Sequence, residues 1–534
     1  MLQNLNKIKF RLLVVFALAA IYLRFKGIEY GLPNILNPNE ADYLLKPIVF
    51  FKNPFRYFLS SESIEMAPIW LFFNGIILFI SNLTLDINTL ISALEISPET
   101  LYMPLRFFSI LFSIGSVIVT YFIGLEFSFP VALLSGGLAS VSLIGVKFAK
   151  EALCVSPIAF FSILSVYFAL QAQKNTTSLN KSILAAFISS LIFPIGLISL
   201  APSFYLILNN KEISAYKCLL RNYLIAFLIF NFHLFIHPMA LLKKLATDYV
   251  NGYFYYHSSA SFLHIILFPI TGVGALTLFL AACLLFYYRN IKLDLLKLKL
   301  LFVFPLFAIG IFSLFHLTEV KYFSFLYPYF CLSAALALSF LDEKFHVTYN
   351  KQFLFIVLVL LTLWLPLKNS LKYNKLISLS DTRQDAVAWI KQNTSENYKI
   401  SWDKHSLQLN WYDAYNKSLL NLLVQEPEAL INRQRYPITK KLIQSKNWIK
   451  TLKRKVDYVL INSIDYESAL RARNVLSTKY YKKILKLEAE IVFNPYLQDL
   501  DKKPRRLLME ELYSPFLTLW QRERCGPVIK VYKL

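Results

Sequence analysis

The sequence predicts a polytopic α-helical membrane protein with a small α/β domain behind its last apolar segment. Three observations carry that expectation. The 534 residues are 56% hydrophobic with a mean hydropathy of +0.48, too apolar for a water-soluble chain. The apolar residues fall in uninterrupted runs long enough to cross or enter a bilayer. From about Leu376 those runs stop and the composition becomes that of a soluble domain.

The runs lie near residues 10–28, 68–85, 104–124, 130–147, 155–172, 183–208, 219–236, 262–288, 299–316, 322–341 and 352–367. They predict about 11 to 13 membrane segments, depending on how the broken ones are counted. Lys7, Lys9 and Arg11 precede the first run, so a cleaved signal peptide competes with a retained anchor there. The retained helix is the expectation, with Arg24 and Lys26 snorkelling from its end. The basic loops 289–298 and 342–351 read as cytoplasmic together with the N-terminus, which puts the C-terminal region outside. Two layouts remain for the middle. A full crossing by 68–85 makes the loop around Lys150 cytoplasmic. A dip by 68–85, with 183–193 and 195–208 forming a short pair broken at Pro194, turns that loop outward and Lys174, Lys181, Lys211 and Lys217 inward. The second layout obeys the charge rule at more loops.

In the C-terminal region, residues 385–392 have helical spacing, while 398–402, 457–462, 487–493 and 528–532 read as strands. No glycine-rich phosphate loop is present, so recognition or structure is expected of this domain. The net charge is +23, and from Lys368 to the end 31 Lys and Arg face 17 Asp and Glu. That excess favours anionic partners such as lipid headgroups or phosphorylated glycans. The basic residues are dispersed and follow a membrane domain, which argues against nucleic acid. The five cysteines are scattered without CxxC spacing and read as packing residues.

Two acidic stretches flank the first apolar segments: Asn37-Pro38-Asn39-Glu40-Ala41-Asp42, and Glu65-Met66-Ala67-Pro68-Ile69-Trp70. Carboxylates beside hydrocarbon are costly unless a cation, a metal or water compensates them, so their recurrence at segment ends reads as chemistry. Structural readings compete at each position. Glu40 is otherwise a solvated loop carboxylate, and Glu65 a helix N-terminal acid favoured by the macrodipole. Glu151 stands next to Lys150 and is otherwise half of a structural Lys–Glu pair. Arg106 is otherwise a snorkelling helix-end cation. His233 and His237 share a helical spacing but Pro238 follows and no third ligand is evident. The tyrosine-rich loop 237–261 reads as an interfacial belt or as a carrier-binding loop.

Taken in order, several stretches resemble the GT-C class of membrane glycosyltransferases, specifically the family 39-like group of protein O-mannosyltransferases and the lipid A aminoarabinose transferase. Tyr22-Leu23-Arg24-Phe25 running into Asn37-Pro38-Asn39-Glu40 is similar to that group's first helix and Pro-Asp-Glu loop. Glu65-Met66-Ala67-Pro68-Ile69-Trp70 resembles its Glu-Lys-Pro-Pro-Leu-Trp motif, and Met103-Pro104-Leu105-Arg106-Phe107-Phe108-Ser109 its Arg-Leu-x-Ser segment. Phe148-Ala149-Lys150-Glu151 sits where a second outer loop carries an acid. Lys321-Tyr322 with Tyr327-Pro328 resembles an Arg-Tyr…Pro segment, and Asp381-Thr382-Arg383 with Ala388-Trp389-Ile390 resembles the opening of the outer domain.

The resemblance implies a membrane domain over 1–370 with an outer loop 29–67, an extracytoplasmic α/β domain over 371–534, and sugar transfer from a polyprenyl-phosphate carrier to an envelope glycan, lipid or protein acceptor. A bacterial inner membrane is the implied location. Such transfer needs a carboxylate base for the acceptor hydroxyl and a cation for the leaving phosphate. Glu40 is the implied base, with Asp42 as a second candidate. Glu65, Arg106, Glu151, Lys321 and Tyr322 are implied to bind substrate, and Glu40 with Glu65 to hold a divalent metal ion through oxygen ligands. The chain departs from the group at Asn39, Met66 and Ala67, where an Asp, a Lys and a Pro are usual. A non-catalytic relative that binds or scaffolds lipid-linked glycan is therefore the competing expectation, and a transporter with related halves is a weaker one.

Overall fold

The computed structural model describes residues 2–534 except 35, 61–62, 64–67, 85, 210–215, 233–235, 240–269, 288–294, 315–323, 346–348, 395–397, 399, 404–416, 424–455, 472–474 and 498–514. It divides into two compact units. The first is Met1–Ile28, Lys46–Leu90 and Thr100–Tyr373; the second is Glu29–Leu45, Ile91–Glu99 and Asn374–Leu534.

The first unit is helical. Helices occupy Leu2–Phe25, Pro68–Ser81, Glu99–Leu125, Phe129–Val141, Leu143–Ala149, Val155–Gln171, Thr177–Ile192, Ala201–Asn209, Tyr216–Phe230, Ala275–Tyr287, Leu295–Leu314, Tyr327–Phe345 and Tyr349–Ile377. Each covers or overlaps an apolar run read from the sequence. Among the described residues two helices, Glu99–Leu125 being one, have the length and composition to cross a membrane. Phe129–Val141 with Leu143–Ala149, bent by 50°, adds a third if the pair is one span. Pro68–Ser81 has 14 residues, a rise of about 21 Å against a hydrocarbon core of about 30 Å. The apolar run 183–208 is interrupted at Pro194, as expected: Thr177–Ile192 ends at Phe193 and a 3-10 segment, Pro194–Leu200, follows.

Local chemistry sets these boundaries. Ser128 caps Phe129–Val141 by accepting the Val131 N–H at 3.4 Å, and Pro130 stands where no donor is needed. The break at Ser142 strips the end of that helix of intrahelical partners, and a guanidinium fills the gap. Arg24 donates from Nη1 to Ser140 O at 3.0 Å, from Nη2 to Ala139 O at 3.3 Å and from Nε to Ser113 Oγ at 2.8 Å. Arg24 is thus 0% exposed, which corrects the snorkelling expectation for it; Lys26 is exposed. A Cβ on Gly145 would lie 3.0 Å from Arg24 Nη2, so the glycine admits the charge. Within an apolar bundle a cation survives where carbonyls and hydroxyls replace water.

Val155–Gln171, Thr177–Ile192 and the 3-10 segment are joined by buried hydroxyls. Ser162 Oγ meets Ser199 Oγ at 2.6 Å and Ser189 Oγ at 3.2 Å, while Ser182 Oγ lies 2.6 Å from Ser203 Oγ and donates to Ser165 O at 2.7 Å. Small side chains let helices approach closely, and their hydroxyls bond across the contact where apolar surfaces supply no drive of their own.

The second unit contains a four-stranded sheet in the order β1-β2-β4-β3, with β1 (Ile400–Trp402), β2 (Tyr458–Asn462), β3 (Ile491–Phe493) and β4 (Ile529–Lys533). β1 runs parallel to β2, and β4 is antiparallel to both β2 and β3. Alternation along the strands sends Tyr458, Leu460, Ile529 and Val531 to one face, against Ala386, Val387 and Ile390 of the helix Thr382–Asn393. Val459, Ile461 and Tyr532 face Tyr480, Tyr481 and Ile484 on the other side. The four strands and the helix fall within a few residues of their expected places.

Candidate functional site

The implied site residues divide between the two units. Glu40 and Asp42 belong to the second, Arg106 and Glu151 to the first, while Glu65, Lys321 and Tyr322 lie outside the described residues. His233, Met66, Ala67 and most of the loop 237–261 also lie outside them.

Glu40 stands in the first turn of the helix Pro38–Lys52. Pro38 suits that position because the first helical N–H has no intrahelical partner. Asn37 precedes it and accepts the Asn39 N–H through Oδ1 at 3.1 Å, and Asn37 O accepts the Ala41 N–H at 3.2 Å, so the turn is closed locally. Glu40 is 2% exposed, Asp42 is half-buried, and Asn39, in the motif position where an Asp is usual, is exposed. A buried carboxylate at a helix N-terminus is favoured by the positive end of the macrodipole. The reading of Glu40 as a solvated loop acid does not survive this burial.

In the first unit, cations gather at the turn that closes the helix Leu2–Phe25. Arg106, 5% exposed, donates through a short Nη1 bond to Ile28 O and lies 5.8 Å from the Tyr102 ring centroid. Lys150 is buried and donates to Lys26 O at 2.6 Å. Two cations thus sit at the negative end of a helix dipole and satisfy carbonyls that no later turn reaches. Arg106 is not a surface cation at a helix end. Ser109 and Ser156 both donate to Phe148 O, at 3.2 and 3.1 Å, holding the loop that carries Lys150 and Glu151 against the helix Glu99–Leu125.

Glu151 forms an ion pair, but with a partner the sequence reading passed over. Its Oε2 lies 2.9 Å from Lys147 Nζ, one helical turn back, whereas Lys150 turns to the carbonyl of Lys26. Lys147 itself lies over the Phe148 ring at 3.8 Å. The i,i+4 spacing of Lys147 and Glu151 was the available signal. The sequence reading also missed Lys46, fully buried in the helix Pro38–Lys52, and Arg24 as a buried group. His237 Nε2 donates to Phe58 O, 3.0 Å away.

The described residues contain no group of three His, Cys, Asp or Glu able to hold a metal ion. The proposed pair of ligands is half outside them, because Glu65 is not described.

With this geometry in hand, the comparisons define the class. Residues 76–192 match the family model for dolichyl-phosphate-mannose-protein mannosyltransferase. Among solved structures, the oligosaccharyltransferase of Archaeoglobus fulgidus, tethered to an acceptor peptide, matches with a TM-score of 0.54 at 14% identity, over 88% of this chain and 72% of that one. The same organism's AglB, in complex with an inhibitory peptide and a dolichol-phosphate, matches at 0.51 and 13% identity over 88% and 72%. ArnT from Cupriavidus metallidurans in the apo state matches at 0.50 and 12% identity over 97% of each chain. A sequence search of curated proteins finds no significant match. The chain is an integral membrane protein with the GT-C fold. The matched stretch 76–192, which contains Arg106 and the Lys147–Glu151 pair, is similar to the protein mannosyltransferase group, as the ordered motifs led one to expect. The Glu40 motif lies before that stretch.

Proposed function

We propose that this protein transfers a sugar from a polyprenyl-phosphate-linked donor to an envelope lipid, glycan or protein acceptor at the extracytoplasmic face of the membrane. The family match over 76–192 supports the reaction class, and the GT-C fold supports the membrane setting. The observation that carries the assignment of roles is Glu40, a carboxylate 2% exposed at the head of a helix in the loop region where the resemblance puts the base.

In the proposed step the acceptor oxygen attacks the anomeric carbon while its proton passes to the Glu40 carboxylate. The bond from that carbon to the phosphate oxygen breaks, and the electron pair leaves with the lipid phosphate. Asp42, half-buried on the same helix, is the alternative proton acceptor. Glu65, Lys321 and Tyr322 are retained as substrate-binding candidates. Arg106 and Glu151 are tied to the turn at Ile28 and to Lys147, and they too are kept as substrate-binding candidates. A phosphate dissociating from a carrier needs cations, and the basic C-terminal region supports anionic partners generally. Further parts of this proposal are the 11 to 13 membrane segments, the domain limits 1–370 and 371–534, an extracytoplasmic C-terminal domain, a bacterial inner membrane and a divalent ion shared by Glu40 and Glu65.

Replacing the base tests the reading. Glu40→Gln keeps size and hydrogen bonding but takes no proton, and is expected to lower sugar addition about 100-fold or more at wild-type protein levels. Equal addition by the variant removes Glu40 from the reaction. One observation favours the scaffold reading instead: the usual motif aspartate is here Asn39, and it is exposed.

A further inference from the structure

The segment that leads to Glu40 is irregular, and its carbonyls need donors from elsewhere. In the second unit two neighbouring side chains supply them. Arg383 Nη1 donates to Leu36 O at 3.0 Å, and Gln384 Nε2 donates to Leu32 O at 3.3 Å. A third bond runs the other way, with Tyr30 OH donating to Asp381 Oδ2 at 2.9 Å.

The receiving end is held by bonds of its own. Asp381 caps the helix Thr382–Asn393, accepting the Arg383 N–H at 2.9 Å while Gln384 Oε1 accepts the Asp381 N–H at 3.1 Å. The same carboxylate takes Arg383 Nε at 2.8 Å and Nη2 at 2.9 Å, a two-pronged pair with both partners buried. Thr382 is fixed in turn, its N–H donating to Cys525 O at 3.1 Å and its Oγ1 to Pro527 O at 2.7 Å. Gly526 lies against it with φ +101°, and a Cβ there would come within 2.5 Å of Asp381 Oδ1.

A buried ion pair is a weak source of stability, because its desolvation cost is comparable with its attraction, and its best-attested use is to fix one register. Here the pair bonds Leu36, the residue before the Asn37 that closes the first turn of the Glu40 helix. We propose that Asp381 and Arg383 are positioning residues, holding Tyr30 and Leu36 so that Glu40 keeps a single orientation for proton transfer. This rests on the reading of Glu40 as the base. The device acts through the backbone: neither side chain is required to touch substrate.

The test uses the full chain in detergent or nanodiscs. Arg383→Lys keeps the charge beside Asp381 but loses the planar fork whose three nitrogens reach both carboxylate oxygens and Leu36 O. Tyr30→Phe removes one bond and leaves the ion pair whole. Hydrogen exchange over residues 29–45 is expected to quicken about tenfold in Arg383→Lys and less in Tyr30→Phe, with exchange in β2 and β4 unchanged. In membranes carrying their endogenous lipid-linked sugars, the acid limb of the pH profile of sugar addition is expected to move by about half a unit or more in Arg383→Lys. The proposal is overturned by unchanged exchange over 29–45, by an equal rise in β2 and β4, or by an acid limb that stays in place. The exchange measurement is independent of activity, so failure of the clamp and failure of the transferase reading, judged by Glu40→Gln, are told apart.

Discussion

At the scale of single residues, the buried charges of the first unit are held by specific partners, and removing one partner should cost more than removing both. Lys147→Met takes the paired cation away from the buried Glu151 carboxylate, an expected loss of about 3–5 kcal/mol. Lys147→Met with Glu151→Gln should recover most of that, as read by thermal unfolding in detergent. Recovery of less than a quarter would mean that the pair is not the main partner of either residue. The residue scale is also where the sequence was least legible. An arginine at the end of an apolar run looks like a snorkelling cation, and only the bend at Ser142, which strands the Ala139 and Ser140 carbonyls, gives Arg24 a reason to turn inward. Glu151 next to Lys150 suggested the adjacent pair. Helical geometry favours residues four apart, and Lys147 is the one that reaches it. Glu40 was legible as a candidate through its motif, but its burial was not, since burial depends on what folds against the loop.

At the scale of elements, uninterrupted apolar runs located the helices of the first unit, and strand patterns located β1 to β4, because these patterns are local. The interruption at Pro194 was legible for the same reason. The hydroxyl contacts that follow from it were not, as they depend on which helices meet. Ser182→Ala removes bonds to Ser165 O and Ser203 and is expected to destabilise the first unit by about 0.6–2 kcal/mol. An unchanged melting temperature would make those bonds decorative.

The sheet carries a second prediction at this scale. Asp403 follows β1, accepting the Tyr481 OH at 2.9 Å and the Asn462 N–H at 3.1 Å. Burial pushes its carboxyl well above the usual range, and the charge of Asp465 adds to this, against those two bonds. The folded chain therefore holds this proton more tightly than the unfolded chain. Stability from this group is full below the unfolded pKa, about 4, and is lost as pH rises through the folded value. Asp403→Asn should flatten the melting temperature over that window and raise it at neutral pH. A wild-type melting temperature that climbs with pH through the window, with the variant following it, would contradict the assignment.

At the scale of the whole molecule, segments far apart in sequence fall into one compact unit. The second unit joins Asn374–Leu534 with Glu29–Leu45 and Ile91–Glu99, far from it in sequence. Composition reports what a segment is made of, not which distant segment it folds with, and Tyr30, Leu32 and Leu36 find their partners some 350 positions later. The outer loop expected over 29–67 is consequently shared between units. The motif that places Asp381 and Arg383 was visible in the sequence, yet its bonds to Tyr30 and Leu36 were not. The GT-C fold itself was legible because it rests on an ordered set of motifs spread over most of the chain, each weak alone.

The central claim, sugar transfer from a polyprenyl-phosphate carrier, is tested most directly by mass spectrometry of envelope glycolipids, glycans and glycoproteins from cells with and without the gene. The account predicts that one sugar increment disappears from one acceptor class while its polyprenyl-phosphate-linked donor accumulates, and that both changes reverse when the wild-type gene is returned. Identical profiles in the two strains, with no change in any lipid-linked sugar, would contradict it.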